Sequence, residues 1–586
     1  MATNRWLGGA PAVAQVTTFV VGGTVEIGDK FKVTINGNTI SVSATTTSTS
    51  TTATEIQTAL NASTIAEFAE ITWSVNSSTV TATADTAGKP YTVTSTTTES
   101  NDAAADAQTF TQTTTVANSG PNDWGTAANW SLAAVPVDTN DVVLDVPISI
   151  LYGLDQNGVT LASLSILPSF STAYLGLPAH TGSYAEYREQ YLKVNCTALT
   201  VDCTSTRIKV NCQAAQTTVN VYNTGAGAET GLNGFIWKGT HASNVMNVYG
   251  SSTVSVAPFG GETATIVTLT ITDGLPDVIL GTGVTLTTVV MAAGTLLAQS
   301  AITTFTVSGG TTEVRGTGAL TTVNHRGGIL NLLGTGAITT LTKTAGQLLV
   351  MQSTITTFTQ YDGQAEVRGT GTITTMNMSG GTLSLLGSGT VSTLTQLSGA
   401  TTVIASTVTT LTTHAGTVTY QSAGTITTLT QYGGTVTIGA AAVTTMTVTA
   451  GIMYHYGTGT TTLLTQSGGS LTSTVAAYTT ITHPGGSTIL RGTGAVGTLT
   501  ISGGTVGYQS SGTCTTCNMH GGALDFTGDI RAKTFTTTKV YGDVATITDH
   551  PGNVVVWTNG INLYGRHVQS GIKVGATVNI AVGAAA

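Results

Sequence analysis

From residue 286 this sequence repeats itself, and no other feature limits its fold so tightly. The period is 17 or 18 residues, once 16, over fourteen units that begin at Leu286, Ile302, Leu320, Ile338, Ile355, Ile373, Val391, Val408, Ile426, Val443, Thr461, Tyr478, Val496 and Cys514. With those residues as position one, position four is apolar in every unit, from Val289 and Phe305 to Leu499 and Cys517. Position nine is glycine in all fourteen, from Gly294 to Gly522. Positions eleven and thirteen are mostly apolar, as in Leu330 with Leu332 and Val436 with Ile438, and the residue between them is mostly polar.

Repetition of this kind is read before local propensity. Alternation at eleven to thirteen marks a strand with one buried face. The fixed glycine marks a corner where φ is positive and a Cβ would clash. A period near 18 is too short for a helix pair, and no 3.6-residue pattern accompanies it. Each unit is therefore expected to be one coil of an all-β, right-handed parallel β-helix, the hand following from the preference of parallel crossovers. Identical positions then stack into ladders, and at ~4.8 Å between strands fourteen coils span about 67 Å. The threonines of positions two and three, such as Thr303 and Thr304, and the Thr or Asn of position five, predict hydroxyl ladders with a structural role.

Composition agrees. Only 8% of the 586 residues are charged, against about 25% in ordinary soluble proteins. Threonine suits a pleated surface through its branched Cβ, and the 71 glycines supply turns. The net charge of −9 is spread thinly, with no basic run, so nucleic acid is not an expected partner. The start, MATNRWLGGAPAVAQVTTFVVGG, has no basic n-region followed by an apolar h-region. No stretch of about 18 apolar residues is present, so no membrane insertion is expected. This pattern fits a protein assembled in the cytoplasm and released inside a particle; the alternative is an extracellular or cell-surface location.

The flanks differ from the repeats. Residues 1–118 read as a small β-sandwich-like anchoring domain, with strands joined through Asn36 and Gly37 and one amphipathic helix over residues 53–63. Residues 119–283 read as an irregular start of the solenoid, 284–529 as its regular body, and 530–586 as a cap of the kind solenoid ends need.

The segments NRWLGGAPAVAQVTT, EIGDKFKVTINGNTISVSA, VTATADTAGKPYTVT and GPNDWGTAANWSLAAVPVDTNDVVL carry a resemblance. Over roughly the first 250 residues the chain resembles virion-associated proteins of tailed bacteriophages and related prophages, of the capsid-decoration, head-fibre or tail-fibre type. The resemblance implies a head domain that binds the particle and a projecting β-helical body, and it brings no catalytic signature.

Many β-helices cleave polysaccharides, so paired carboxyl groups within about 5–10 Å are the feature to seek. The repeats hold Glu313, Asp362, Glu366, Asp525 and Asp529 and little else acidic. Glu313 and Glu366 share position twelve but lie three coils apart, about 14 Å. Asp362 precedes the corner at Gly363, and with Glu366 and Arg368 reads as a solvated surface cluster, the alternative being a mixed site of the three. The five cysteines, Cys196, Cys203, Cys212, Cys514 and Cys517, are too few and too odd for a disulfide framework. Cys514 and Cys517 form a CxxC at core positions one and four and read as buried thiols. His325, His414, His483 and His520 fall near one turn and read as solvated. No Walker motif, nucleophile elbow or HExxH occurs. No catalytic residue, metal site or cofactor is therefore expected.

The expected function is that of a non-enzymatic virion structural protein, a capsid decoration or head fibre. Alternatives are a phage tail fibre or receptor-binding spike, a tailspike depolymerase, and a bacterial adhesin or filament subunit. Expected partners are the major capsid or another virion protein through residues 1–118, further copies of the chain, and a host-surface glycan. The copy-to-copy contact is read from outward positions twelve and fourteen, where Leu297, Leu333, Leu349, Met351, Leu386, Ile404, Ile489, Tyr454 and Tyr456 are large and apolar. A trimer follows by analogy with viral fibres.

Overall fold

The computed structural model describes residues 2–179, 189–474, 476–541, 543–564 and 571–583. It is all-β, about 4% helical, with about 24 turns of parallel β-solenoid and a separate small antiparallel region. The chain divides into two compact units, Met1–Thr287 with Ala293–Leu296 and Thr288–Ala292 with Leu297–Ala586.

In the first unit, strand β1 (Thr3–Arg5) precedes the antiparallel region. That region comprises β2 (Val16–Gly23), β3 (Lys30–Ile35), β4 (Asn38–Ser43), α1 (Thr49–Asn61), α2 (Ala66–Ala69), β5 (Ile71–Asn76), β6 (Thr79–Ala84), β7 (Val93–Thr98) and β8 (Gln108–Val116). The sheets run β5-β6-β2-β8 and β4-β3-β7. Their apolar faces and one face of α1 enclose Phe19, Phe31, Ile56, Leu60, Phe68, Trp73 and Phe110. The β3–β4 turn has Asn36 at φ 51° and Gly37 at φ 85°, the conformation Asn-Gly favours. Helix α1 begins four residues before the expected start, because Ser48 caps it by accepting from the Thr51 N–H at 3.3 Å.

The first residues belong to the solenoid rather than to this domain. Strand β1 pairs in parallel with β9 (Asp141–Leu144), which pairs in turn with β10 (Asp155–Ile166). The antiparallel domain is thus inserted between two neighbouring solenoid strands. Where the chain leaves and returns, Val13 bridges Ser119, with the Val13 N–H donating to the Ser119 carbonyl at 2.8 Å. Trp6, Trp124 and Trp130 pack edge to face beside this neck, at 5.0 and 4.6 Å between centroids. Their buried indole N–H groups at Trp6 and Trp130 donate to the carbonyls of Ile148 and Trp124.

In the second unit each coil contributes two strands, one over positions one to six and one over ten to thirteen, and each pairs in parallel with its counterpart one coil on. Positions one and four are buried throughout, as the repeat requires. All fourteen position-nine glycines have positive φ, between 67° and 87°. Within the segment read as a cap, parallel pairing continues in Lys533–Val540, Thr546–Thr548 and Ile561–Tyr564.

Position six also points inward, which corrects the reading of two histidines. His325 and His483 occupy it and are fully buried, whereas His414 and His520, at position seven, are exposed. The buried column includes Lys343, Gln360, Gln396, Gln431 and Gln466, and their amine and amide groups hydrogen-bond corner carbonyls. Gln360 donates from Nε2 to the carbonyls of Gly363 and, one coil on, Thr382, both at 3.0 Å. Gln396 and Gln431 repeat the arrangement with Gly399 and Thr417, and with Gly434 and Ile452. Lys343 Nζ reaches the carbonyls of Ala345, Gly346 and Asp362 at 2.7–3.0 Å. Each such side chain ties its own corner to the next coil.

The threonines correct a second expectation. Positions three and five stack in register, Thr304 against Thr322 against Thr340 and Thr306 against Asn324 against Thr342. Their hydroxyls do not bond one another, and among the described residues none of positions three and five in Thr304–Asn518 makes a side-chain hydrogen bond within the protein.

Candidate functional site

The wall formed by positions ten to fourteen carries the nine residues expected at a subunit contact. Period-two alternation turns positions twelve and fourteen outward, and all nine lie at the surface. Leu297, Leu333, Leu349, Met351, Leu386, Tyr454 and Ile489 are half-buried by their neighbours, while Ile404 and Tyr456 are 45% and 42% exposed.

They do not form one stripe. At position fourteen the order along the coils is Arg315, Leu333, Met351, Arg368, Leu386, Ile404, so an arginine interrupts the column. At position twelve Leu349 lies between Asn331 and Glu366. Three patches result: Leu333 with Leu349 and Met351, then Leu386 with Ile404, then Tyr454 stacked on Tyr456 at 6.1 Å and 10°. Leu297 and Ile489 lie apart. The first patch is bracketed by two exposed ion pairs, Glu313 with Arg315 and Glu366 with Arg368. A shallow depression of about 450 Å³ lies between positions ten and twelve, lined by Ile329, Asn331, Gln347, Leu349, Gln364 and Glu366 among others.

The acidic residues of the repeats are held by local partners. Glu313 and Glu366 take the arginines just named, and Asp362 Oδ1 accepts from the Gly363 N–H at 2.7 Å, closing the corner. Asp525 accepts from the Thr527 N–H, and Asp529 is paired with Arg531 and the buried Lys533. Cys514 and Cys517 are buried free thiols, and burial drives both up, Cys517 to about 12. Among the described residues no three His, Cys, Asp or Glu side chains are placed to hold a metal ion.

A group of buried charges lies elsewhere, in the first unit, and went unnoticed in the sequence. Strands Ile208–Asn211, Phe235–Lys238 and Thr253–Val256 bury their outward residues Lys209, Ile236 and Ser255 as well as their inward ones. Loops bearing Glu229 and Phe259 cover them. Lys209 pairs with Glu229 at 2.8 Å, Lys238 with Glu262 at 2.8 Å, and the Lys238 ammonium lies 3.9 Å above the Tyr191 ring. The Tyr191 hydroxyl donates to Glu262 at 3.2 Å, and burial followed by the nearby carboxylates raises its pKa far beyond the usual phenol range. Burial lowers Lys209, and Glu229 opposes that. The four groups neutralise one another, which suits a clamp on the covering loops.

No known family matches this chain, and neither a characterised protein nor a solved structure matches it.

Proposed function

We propose that the protein is a non-enzymatic structural component of a virus particle, a capsid decoration or head-fibre protein. The inserted antiparallel domain anchors it to the major capsid protein or another virion protein, and the parallel β-helix serves as a rigid body that associates with further copies, as a trimer. The observation that carries this reading is the union of two parts with separate cores: a compact domain on a two-chain neck, and a long series of near-identical coils. Such a series resists bending and exposes no open strand edge along its length. Electron microscopy of particles labelled with antibody to residues 1–118 tests it. Label on the capsid supports it, label at the tail favours the receptor-binding spike, and label on bacterial envelopes alone overturns it.

The reading includes no catalytic step, since each acid of the outward wall has a basic or backbone partner. Purified protein incubated with host capsule or lipopolysaccharide is expected to release no oligosaccharide. Release abolished by Glu366→Gln or Asp362→Asn would refute this part.

A further inference from the structure

The outward threonines of positions two, three and five are not used by the function proposed above. From Ile302 to Asn518 they cover thirteen coils. Position three is threonine in all but Leu463, position five is Thr or Asn throughout, and position two is threonine except at Ser392 and Gly497. No charged residue enters these three columns over that span. Pairing of the strands that bear them keeps one register without a bulge from Thr304 to Thr516.

Positions three and five form a two-dimensional lattice of side chains, and position two, which the strand register skips, lies beside it. Its repeat along the ladder is the strand spacing, ~4.8 Å, and its repeat across the ladder is two residues of strand, ~6.6 Å. Each threonine presents a hydroxyl that both donates and accepts and a methyl group beside it. Branching at Cβ restricts χ1, so the array is ordered before anything binds. The hydroxyls of positions three and five have no hydrogen-bond partner within the protein among the described residues, so their capacity is directed to solvent.

We infer that this face binds ice. Both repeats are close to those of water oxygens on the prism faces of hexagonal ice. A neutral surface suits that ligand, because a charged side chain would orient water radially and break the lattice. A single threonine contributes little to such contact. Many held at lattice spacing engage together, and binding grows by multivalency with no new kind of contact. The face belongs to the strands of positions one to six, whereas the proposed subunit contact uses positions twelve and fourteen, so the two surfaces are separate.

The test uses the free full-length protein and so does not depend on the virion assignment. Fluorescently labelled protein is exposed to slowly growing ice, and crystal shape and the gap between melting and growth temperatures are recorded. Wild-type protein is expected to enter the ice, facet the crystals and open a measurable gap. A Thr393→Lys, Thr410→Lys, Thr428→Lys variant should lose at least ~10-fold in incorporation, with its β-rich circular dichroism unchanged. Thr417→Lys, an exposed position-ten threonine on the other strand, should behave as wild type. Should the triple variant misfold, Thr342→Lys with Thr359→Lys repeats the comparison. Exclusion of wild-type protein from ice overturns the inference. So does equal incorporation of the folded lysine variants, or retention on crystalline cellulose or chitin together with exclusion from ice.

Discussion

At Gly381 the backbone turns with φ of 72°, and a Cβ there would press on the Gly363 carbonyl of the preceding coil. Gly381→Val combines that clash with a backbone region that β-branched residues avoid, and should cost ~3 kcal/mol or more. Thr374→Ser on the same coil keeps the hydroxyl and should cost under ~1 kcal/mol. Thermal unfolding of both variants compares them directly, and equal shifts would mean the corner is not what limits this coil. The buried histidines set a pH limit. His325 and His455 are pushed down to about 4, each mainly by burial, and His483 is lowered for the same reason. Unfolded, these rings bind a proton near 6.5, so between pH 6.5 and 4 the unfolded chain holds more protons. Stability present above pH 6.5 is therefore lost as pH falls toward 4. His325→Gln, matching the amides elsewhere in the column, should flatten that slope in urea titrations at pH 4.5 and 7.5. The glycines and positions one and four were legible because every unit repeats them. Position six was not, because its occupants range from Val307 and Met378 to Lys343 and Gln431. Only the inward direction of the side chain is shared, and it follows from alternation beyond position four.

The strands of positions ten to thirteen tell a similar story one level up. Alternation within a strand correctly sets which residues face out. Continuity of a surface, however, depends on what stacks along the coils, and there Arg315, Glu313, Arg368 and Glu366 enter the same columns as the apolar residues. Reading only the apolar members made one stripe of three patches. The patch whose two members stack directly on one another joins Leu386 to Ile404, with Arg368 on one side. Leu386→Glu with Ile404→Glu is expected to convert the proposed oligomer to monomers in sedimentation velocity and leave the β-sheet circular dichroism intact. Unchanged sedimentation would remove this wall from the contact. The helix start and the continued pairing beyond residue 530 were not legible for local reasons. Ser48 sits in a run of threonines and serines where one cap looks like another. Lys533–Val540 pairs like the strands before it without sharing their spacing.

Across the whole molecule, solenoid stability is close to a sum of coils and neighbour contacts. The regular coils were legible from their period, but the first unit was not. Lys209 alternates with Ile208 and Val210 as an ordinary outward lysine would, and its burial depends on Glu229 and Phe259, which arrive from distant loops. Glu229→Gln should therefore be costly, about 3–5 kcal/mol, because it leaves a buried ammonium without its counter-charge. Lys209→Met should cost less, since the Glu229 carboxylate left behind is partly exposed to solvent and keeps the Ala179 N–H as a donor. Guanidine unfolding of the two variants checks the order, and a larger loss for Lys209→Met would mean the pair is a net source of stability.

The insertion of the antiparallel domain between β1 and β9 has a mechanical consequence. A pull on that domain reaches the coils through two chains at once, at Val13 and at Ser119, and these are hydrogen-bonded to each other. The load is shared, and it cannot peel β1 away as it would a free terminal strand. To detach, β1 must shear along β9 while the Arg5–Asp145 ion pair and the packing of Trp6 on Trp130 resist in parallel. Bonds broken together in shear withstand more force than bonds broken in succession, so the neck is built to carry tension rather than merely to connect.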